Sequence, residues 1–328
     1  MRAIAYEGGG GPEVIRVRDV PIPEPGSDDA LVVVAYAGLN RADILERMGF
    51  YPSPLGQGAT PGLEFSGVVS AIGANVKNVR AGDRVFGLVP GAAHAEFLTA
   101  NALTLAPVPA GLTLESAAAL PEAFMTAYDA LFARGAFAIG QSVLIHAVGS
   151  SVGLAALALA KRAGGTTLGT SRTPAKLERA AGHGLDLGIV LDDAWPDRVR
   201  EATGGRGVDL VLDFIGAPIL EKNVAVLCTG GRIVQIGTLG GAKASIALGP
   251  FMQKRATLAG TVLRSRPLDE RIALTRAFAT RLGPLFARGE LRAEIDRTFP
   301  LEAMADAHRR MEANENFGKI VLAVNSAL

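Results

Sequence analysis

The run Val143-Leu144-Ile145-His146-Ala147-Val148-Gly149-Ser150-Ser151-Val152-Gly153-Leu154 passes from an apolar strand pattern through a small-residue turn into an Ala/Leu-rich helix. Such a turn aims backbone N–H groups and the positive end of a helix at an anion, and its last glycine lets helix and strand pack closely. The spacing reads Ala-x-Gly-x-x-Gly, with Ala147 where the dinucleotide fingerprint has its first glycine. The same residues also spell Gly-x-Ser-x-Gly, the strand-turn-helix elbow of serine hydrolases. Ser151 is then the nucleophile, with Asp213 and His308 downstream in the required order. The next strand weighs between these chemistries. The stretch Leu168-Gly169-Thr170-Ser171-Arg172-Thr173-Pro174-Ala175-Lys176 ends some 18 to 20 residues beyond Gly153, where a dinucleotide fold reads the adenosine ribose. NAD-binding chains place Asp or Glu there. Ser171, Arg172 and Lys176 instead offer a hydroxyl and two cations, which suit a 2′-phosphate, so NADPH is the expected cofactor.

The elements that must position this turn follow from the pattern around it. Residues 142–146, 166–170, 209–213 and 232–236 read as strands, with helices over 153–163 and 174–181 between them. Repeated strand-helix-strand units of this size imply a doubly wound parallel sheet. Before it, β-branched runs at 30–36, 67–72 and 84–89 are separated by Pro and Gly turns, which predicts a β-rich domain. After it come a helix over 269–288, a strand over 295–299, a helix near 301–313 and a closing strand over 319–324, expected to rejoin the first domain. The expected organisation is thus 1–123 with 268–328 as one domain and 124–267 as the nucleotide-binding domain.

Composition bounds the rest. With 328 residues, 49 % of them apolar, two domains can each bury a core. Thirty-three Lys and Arg against 32 Asp and Glu leave a formal charge of +1, so no global positive field exists to hold nucleic acid or an anionic membrane. Phosphates must be met locally, and 40 glycines provide for tight turns and close backbone approach. Cys228 is the single cysteine, which removes internal disulfides and Cys-cluster metal sites and suits a reducing cytoplasm. The start of the chain lacks the apolar core of a signal peptide, and the apolar stretches 31–39 and 152–160 are half of what a bilayer needs.

Three further segments carry a family resemblance that runs end to end. Pro61-Gly62-Leu63-Glu64-Phe65-Ser66-Gly67 resembles the Gly-His-Glu-x-x-Gly segment of the medium-chain dehydrogenase/reductase superfamily, and Ala81-Gly82-Asp83-Arg84-Val85 resembles the turn and strand after it. Asn316-Phe317-Gly318-Lys319-Ile320-Val321-Leu322 resembles its C-terminal signature. Leu63 stands where zinc-dependent members carry a His ligand, and Asn40 where they carry a catalytic Cys, so no metal is expected. Leu39-Asn40-Arg41-Ala42-Asp43 and His146-Ala147 are similar to the zinc-free quinone oxidoreductase branch. Within it, Leu212-Asp213-Phe214-Ile215-Gly216, Glu221-Lys222-Asn223-Val224, Leu263-Arg264-Ser265-Arg266 and Met311-Glu312-Ala313-Asn314 look closest to the stress-inducible animal NADPH:quinone oxidoreductases.

The resemblance implies a GroES-like catalytic domain beside a Rossmann domain, and NADPH-dependent reduction of quinones or similar α,β-unsaturated carbonyls. It implies that Ala147, Gly149, Ser150, Ser151, Val152 and Gly153 line the pyrophosphate, and that Ser171 and Lys176, with Arg172, face the 2′-phosphate. Ile236, Gly237 and Thr238 would follow the adenine-side strand. Leu263, Arg264 and Ser265, with Asn316, Gly318 and Lys319, would hold the nicotinamide end. A carbonyl accepting hydride develops negative charge, and without zinc this falls to hydrogen-bond donors. Asn40 and Tyr51 are the expected catalytic pair, with Tyr51 or water delivering the proton, and Arg41 is expected to pair with Asp43. One departure is Ile189-Val190-Leu191-Asp192, where close relatives place a Tyr near the adenine. His146 is expected to be structural and Asp213 to anchor a loop. The small-molecule acceptor is expected to be the main partner, with a homodimer as the assembly. An enoyl or acryloyl thioester reductase, the hydrolase through Ser151, and a nucleotide-binding protein without turnover are the alternatives.

Overall fold

The computed structural model describes residues 1–56 and 58–328. The chain divides into two compact units, Met1–Met125 with Leu263–Leu328, and Thr126–Val262.

The first unit is built on the strand Asp29–Leu39, which is buried along nearly its whole length. Consecutive residues are buried, so both faces of the strand are covered, which is why Leu31-Val32-Val33-Val34 forms a continuous apolar run rather than an alternating one. On one side it pairs antiparallel with Glu64–Ile72. On the other it pairs with Phe97–Asn101 along its first half and with Lys319–Ala323 along its second. The closing strand therefore rejoins the first domain, and Ile295–Pro300 extends the sheet beyond it. Arg84–Leu88 and Leu105–Pro107 continue the opposite edge. Val32, Leu39, Phe65, Met304, Ile320 and Leu322 share the core beneath this sheet.

The second unit is a six-stranded sheet, parallel throughout among the described residues. Its spatial order is Leu187–Val190, Thr166–Ser171, Ser142–Ile145, Val208–Asp213, Leu227–Gln235 and Thr257–Gly260. Strand order reverses between Ser142–Ile145 and Val208–Asp213, the point at which a doubly wound sheet opens a crevice at its carboxyl ends. The turns that leave these two strands, 146–150 and 214–216, are therefore the ones placed to meet a ligand. Trp195, Val211, Leu144 and Ile233 lie in the core of this unit.

Leu263, Arg264 and Ser265 fall in the first unit, whereas a sequence boundary at 267 puts them in the nucleotide domain. The reason is local. The last parallel strand ends at Gly260, and the Arg264 side chain binds Glu46 and the Pro90 carbonyl of the β-rich unit. No helix among the described residues is long and apolar enough to cross a membrane.

Candidate functional site in two units

In the second unit, Ser150 caps the helix Ser151–Arg162, its Oγ accepting the Gly153 N–H at 3.1 Å. The Val148 N–H donates to the Thr170 carbonyl at 3.0 Å and the Ser150 N–H to that of Ala147 at 2.9 Å, which folds the turn back on itself. The N–H groups of Gly149, Ser151 and Val152 have no acceptor among the described residues, so three donors stand at the positive end of a twelve-residue helix. A Cβ on Gly153 would lie 2.7 Å from the carbonyl oxygens of both Ala147 and Val148, so only glycine permits this approach. Ala147 occupies the left-handed region at φ +47°, where the fingerprint has its first glycine. The cradle is therefore formed with a strained alanine in place of a relaxed glycine. This donor set fits a pyrophosphate.

Ser171 ends the neighbouring strand and is buried, its Oγ accepting the Thr173 N–H at 3.1 Å while its own O–H can still donate. Arg172 is exposed, and Lys176 is half-buried in the first turn of the helix Pro174–Gly182. On the far side of the reversal, the N–H groups of Ile236 and Gly237 both reach the Asp213 carbonyl, at 2.7 and 3.3 Å, and the Thr238 carbonyl accepts from Gly241.

Behind the turn lies a buried polar chain. Asn223 Nδ2 donates to Asp213 Oδ2 at 2.9 Å, because a carboxylate can only accept, and this fixes Asn223 Oδ1 as the atom facing His146. His146 Nε2 therefore carries the proton and donates to Asn223 Oδ1 at 2.8 Å, and the Thr170 hydroxyl donates to Nδ1 at 2.8 Å. Burial depresses the His146 pKa, so the neutral tautomer is the resident one. Asp213 Oδ1 accepts the Ile215 and Gly216 N–H groups at 2.6 and 2.9 Å. His146 is structural and Asp213 anchors the loop. The hydrolase reading fails here, since Asp213 is committed to this turn. His308 Nδ1 accepts from Arg47 Nη1 at 3.1 Å, so the nitrogen that faces the orienting acid in a Ser-His-Asp triad carries no proton here.

In the first unit, Asn40 precedes the helix Arg41–Arg47, and its N–H donates to Asp43 Oδ2 at 2.8 Å. Asp43 is thus taken by the cap rather than by Arg41, whose guanidinium donates to the Met311 carbonyl at 2.8 Å. Burial raises the Asp43 carboxyl to about 7, and its Oδ1 has no hydrogen-bond partner. The Asn40 carboxamide meets two buried charges: Lys319 Nζ donates to Oδ1 at 2.7 Å, and Nδ2 donates to Glu64 Oε1 at 2.9 Å. Lys319 and Glu64 are themselves paired at 2.5 Å and almost fully buried.

Arg264 is buried, with Nη2 on Glu46 at 2.5 Å, Nε on the Pro90 carbonyl at 2.9 Å, and Nη1 unpartnered. Its guanidinium carbon lies 5.3 Å from the centre of the Tyr51 ring. Burial, then the charge of Glu122, raises the Tyr51 hydroxyl pKa, so the phenol keeps its proton at neutral pH. His94 is held neutral, its pKa lowered to about 4 by burial, with Nε2–H donating to the Gly38 carbonyl at 3.2 Å.

The structure thus gathers Asn40 with Lys319, and Arg264 with Tyr51, inside the first unit. Leu263 is buried beside Arg264 in the chain and Ser265 is exposed. Asn316 and Gly318 form a turn in which Asn316 Nδ2 donates to the Gly318 carbonyl at 3.1 Å. The family motif alone does not mark Glu64 as a site residue, although the sequence carries the signal: an acid in an apolar strand must be paired. Asn223 links His146 to Asp213, and in the sequence it stands out only as part of a motif.

Two family models match the chain, the alcohol dehydrogenase GroES-like domain over residues 26–126 and the zinc-binding dehydrogenase domain over residues 183–322. With a doubly wound sheet ending in an anion-binding turn, they define an NAD(P)-dependent oxidoreductase built from two units. A quinone oxidoreductase of Lama guanicoe is 31% identical, over 98% of this chain and 97% of that one. The solved Escherichia coli quinone oxidoreductase complexed with NADPH superposes with a TM-score of 0.90 at 28% identity, covering 99% of this chain and 100% of that one. A solved NAD-dependent alcohol dehydrogenase gives a TM-score of 0.88 at 31% identity, covering 99% and 100%. The chain belongs to the quinone oxidoreductase branch of the medium-chain dehydrogenase/reductase superfamily.

The name of the second family model raises the question of zinc. The residues here do not fit that metal. Leu63 and Asn40 supply neither imidazole nor thiolate, and Glu64 is already bound by a lysine and an amide. Among the described residues no three His, Cys, Asp or Glu side chains are grouped to hold a metal ion.

Proposed function

We propose that the protein is a zinc-independent NADPH:quinone oxidoreductase that also accepts related α,β-unsaturated carbonyls. The observation that carries the reading is the set of three open amides at the start of the helix Ser151–Arg162, followed one strand later by Ser171, Arg172 and Lys176. A bound reduced nicotinamide dinucleotide supplies hydride to the acceptor. The chain does the rest. Gly149, Ser151 and Val152 hold the pyrophosphate through their N–H groups, and Arg172 and Lys176 with the Ser171 hydroxyl meet the 2′-phosphate. Asn40 donates a hydrogen bond to the acceptor oxygen where negative charge develops, and Tyr51 holds a proton at its hydroxyl for delivery to that oxygen. Leu263, Arg264, Ser265, Asn316 and Gly318 orient the nicotinamide end, the role that the family resemblance implies for them. The setting is the cytoplasm, in keeping with a buried, unpaired Cys228. The assembly is a homodimer formed at the outer strand Thr257–Gly260, whose Leu258 is exposed, and sedimentation velocity reads this directly.

The test is a fluorescence titration with NADPH and NADH, followed by steady-state assays with 1,2- and 1,4-quinones beside a crotonyl thioester. Tighter binding of NADPH is expected, and Arg172→Glu/Lys176→Glu should weaken it at least about 10-fold while leaving NADH within about twofold. Preferential turnover of the thioester replaces the acceptor assignment, and binding without turnover of any acceptor removes the enzyme reading.

A further inference from the structure

The Asn40 carboxamide is held between a group that can only donate and a group that can only accept. Lys319 Nζ faces Oδ1 at 2.7 Å, and Glu64 Oε1 faces Nδ2 at 2.9 Å. Flipping the amide would set N–H against ammonium and carbonyl against carboxylate, so the electrostatics permit one orientation only. The two charges are fixed in turn. They pair with each other at 2.5 Å, and the second carboxylate oxygen of Glu64 accepts the Glu122 N–H at 2.8 Å, in the first turn of the helix Pro121–Tyr128. Room for this carboxylate exists because residue 38 is glycine, where a Cβ would lie 2.2 Å from Oε1. The backbone of Asn40 is held as well, by the bond from its N–H to Asp43. A carboxamide has two N–H bonds on nitrogen, and the second has no partner among the described residues.

We propose that Lys319 and Glu64 are positioning residues for acceptor reduction, which lock the Asn40 carboxamide so that its remaining N–H is aimed at the acceptor oxygen. This rests on the reading of Asn40 given above. Lys319 acts through Asn40: an ammonium on Oδ1 draws electron density from the amide and makes the free N–H a stronger donor. Because the group is already oriented, it needs no reorganisation as charge appears on the acceptor. The role differs from that implied for Lys319 by resemblance, since its ammonium is directed at Asn40 and Glu64 and is about 1% exposed.

Lys319→Met alone leaves Glu64 as an uncompensated buried charge and can fail to fold, so the deciding variant is Lys319→Met/Glu64→Leu, which removes both charges. That variant is expected to bind NADPH within about twofold of the wild type and to reduce 1,4-naphthoquinone about 10- to 100-fold more slowly, the loss expected for one hydrogen bond to a developing charge. Adding Asn40→Ala to it should lower kcat no further, whereas Asn40→Ala in the wild-type background should give nearly the whole loss. A readout independent of turnover is the side-chain amide of Asn40 in protein labelled with ¹⁵N-asparagine and assigned with Asn40→Ala. On binding of 1,4-naphthohydroquinone to the complex with oxidised cofactor, one of its two proton resonances should move in the wild type. A folded double variant that keeps kcat within twofold, or an Asn40 amide with neither proton shifted by the hydroquinone, overturns the proposal. If Asn40→Ala alone leaves kcat unchanged, the fault lies in the catalytic reading of Asn40 itself.

Discussion

Replacing Gly153 with alanine sets two physical effects against each other, and the structure decides between them. Gly153 lies in the first turn of a helix, where alanine is favoured over glycine by about 1 kcal/mol on propensity alone. Against this, the added Cβ would stand 2.7 Å from the carbonyl oxygens of Ala147 and Val148 and 2.8 Å from the Cα of Val148. All three are main-chain atoms and cannot swing aside as a side-chain tip does. The turn must shift by several tenths of an ångström, which strains the Ser150 cap and the Val148 bond to Thr170. Overpacking of this kind costs about 1–3 kcal/mol and a weakened cap about 1 kcal/mol, so the net expectation is a loss of about 1–3 kcal/mol in urea unfolding. The open amides of Gly149, Ser151 and Val152 move with the turn, and NADPH affinity in a fluorescence titration should fall at least about 10-fold. Ala147→Gly is the counterpart of opposite sign. It relieves a left-handed alanine at φ +47°, and the variant should be between neutral and about 1 kcal/mol more stable. A Gly153→Ala protein as stable as the wild type with unchanged NADPH affinity refutes this account of the cradle.

Asn223→Ala leaves the His146 Nε2–H and Asp213 Oδ2 without their shared partner in a dry interior, and should cost about 2–4 kcal/mol in chemical denaturation. Asn223→Asp should be worse still, since it brings a second carboxylate against Asp213. The pH dependence of stability has a component from Asp43, whose carboxyl sits at about 7 when folded against 3.8 in the unfolded chain. Between these values the folded state holds a proton that the unfolded state lacks, so this contribution is present below about pH 4 and is lost as pH rises to about 7. His94, lowered to about 4, works in the opposite sense, since its unfolded form takes up a proton below pH 6.5 and stability rises with pH over that range. Comparing wild type with Asp43→Asn isolates the first component: the stability difference should shift against the wild type between pH 4 and 7, by up to about 4 kcal/mol. A difference that is flat across that range removes Asp43 as a buried titrating group.

The doubly wound sheet could be read from the sequence because its signals are local. Each of its central strands is a short apolar run, and the small-residue turn Ala147 to Gly153 lies on one continuous stretch of chain, with its spacing visible at once. The hydrolase alternative could not be dismissed at that level. What dismisses it is the commitment of Asp213 to its own turn and to Asn223, together with His308 Nδ1, which accepts from Arg47, 261 residues away in sequence. The candidate catalytic residues of the first unit are legible only as a list of residue types. Asn40 could be named, but its orientation depends on Lys319, 279 residues further along, and on Glu64, which no local pattern marks as the partner of either.

This division follows from how buried charge is handled. A backbone cradle is specified by consecutive residues, because its donors are main-chain N–H groups and its requirement is room for close approach, met by Gly153. A buried side-chain donor is specified by pairing, because a lone charge in the interior is too costly to keep. The first unit accordingly carries its buried cations against acids distant in sequence: Lys319 on Glu64, Arg264 on Glu46 and Arg47 on Glu312. Each pair is close to neutral as a unit, so the near-zero net charge of the chain conceals strong local fields rather than their absence. Those fields act on neutral groups nearby. Asn40 carries no charge, yet it has an ammonium on one end of its amide and a carboxylate on the other, and its free N–H inherits a direction and a polarity that its own residue type does not supply.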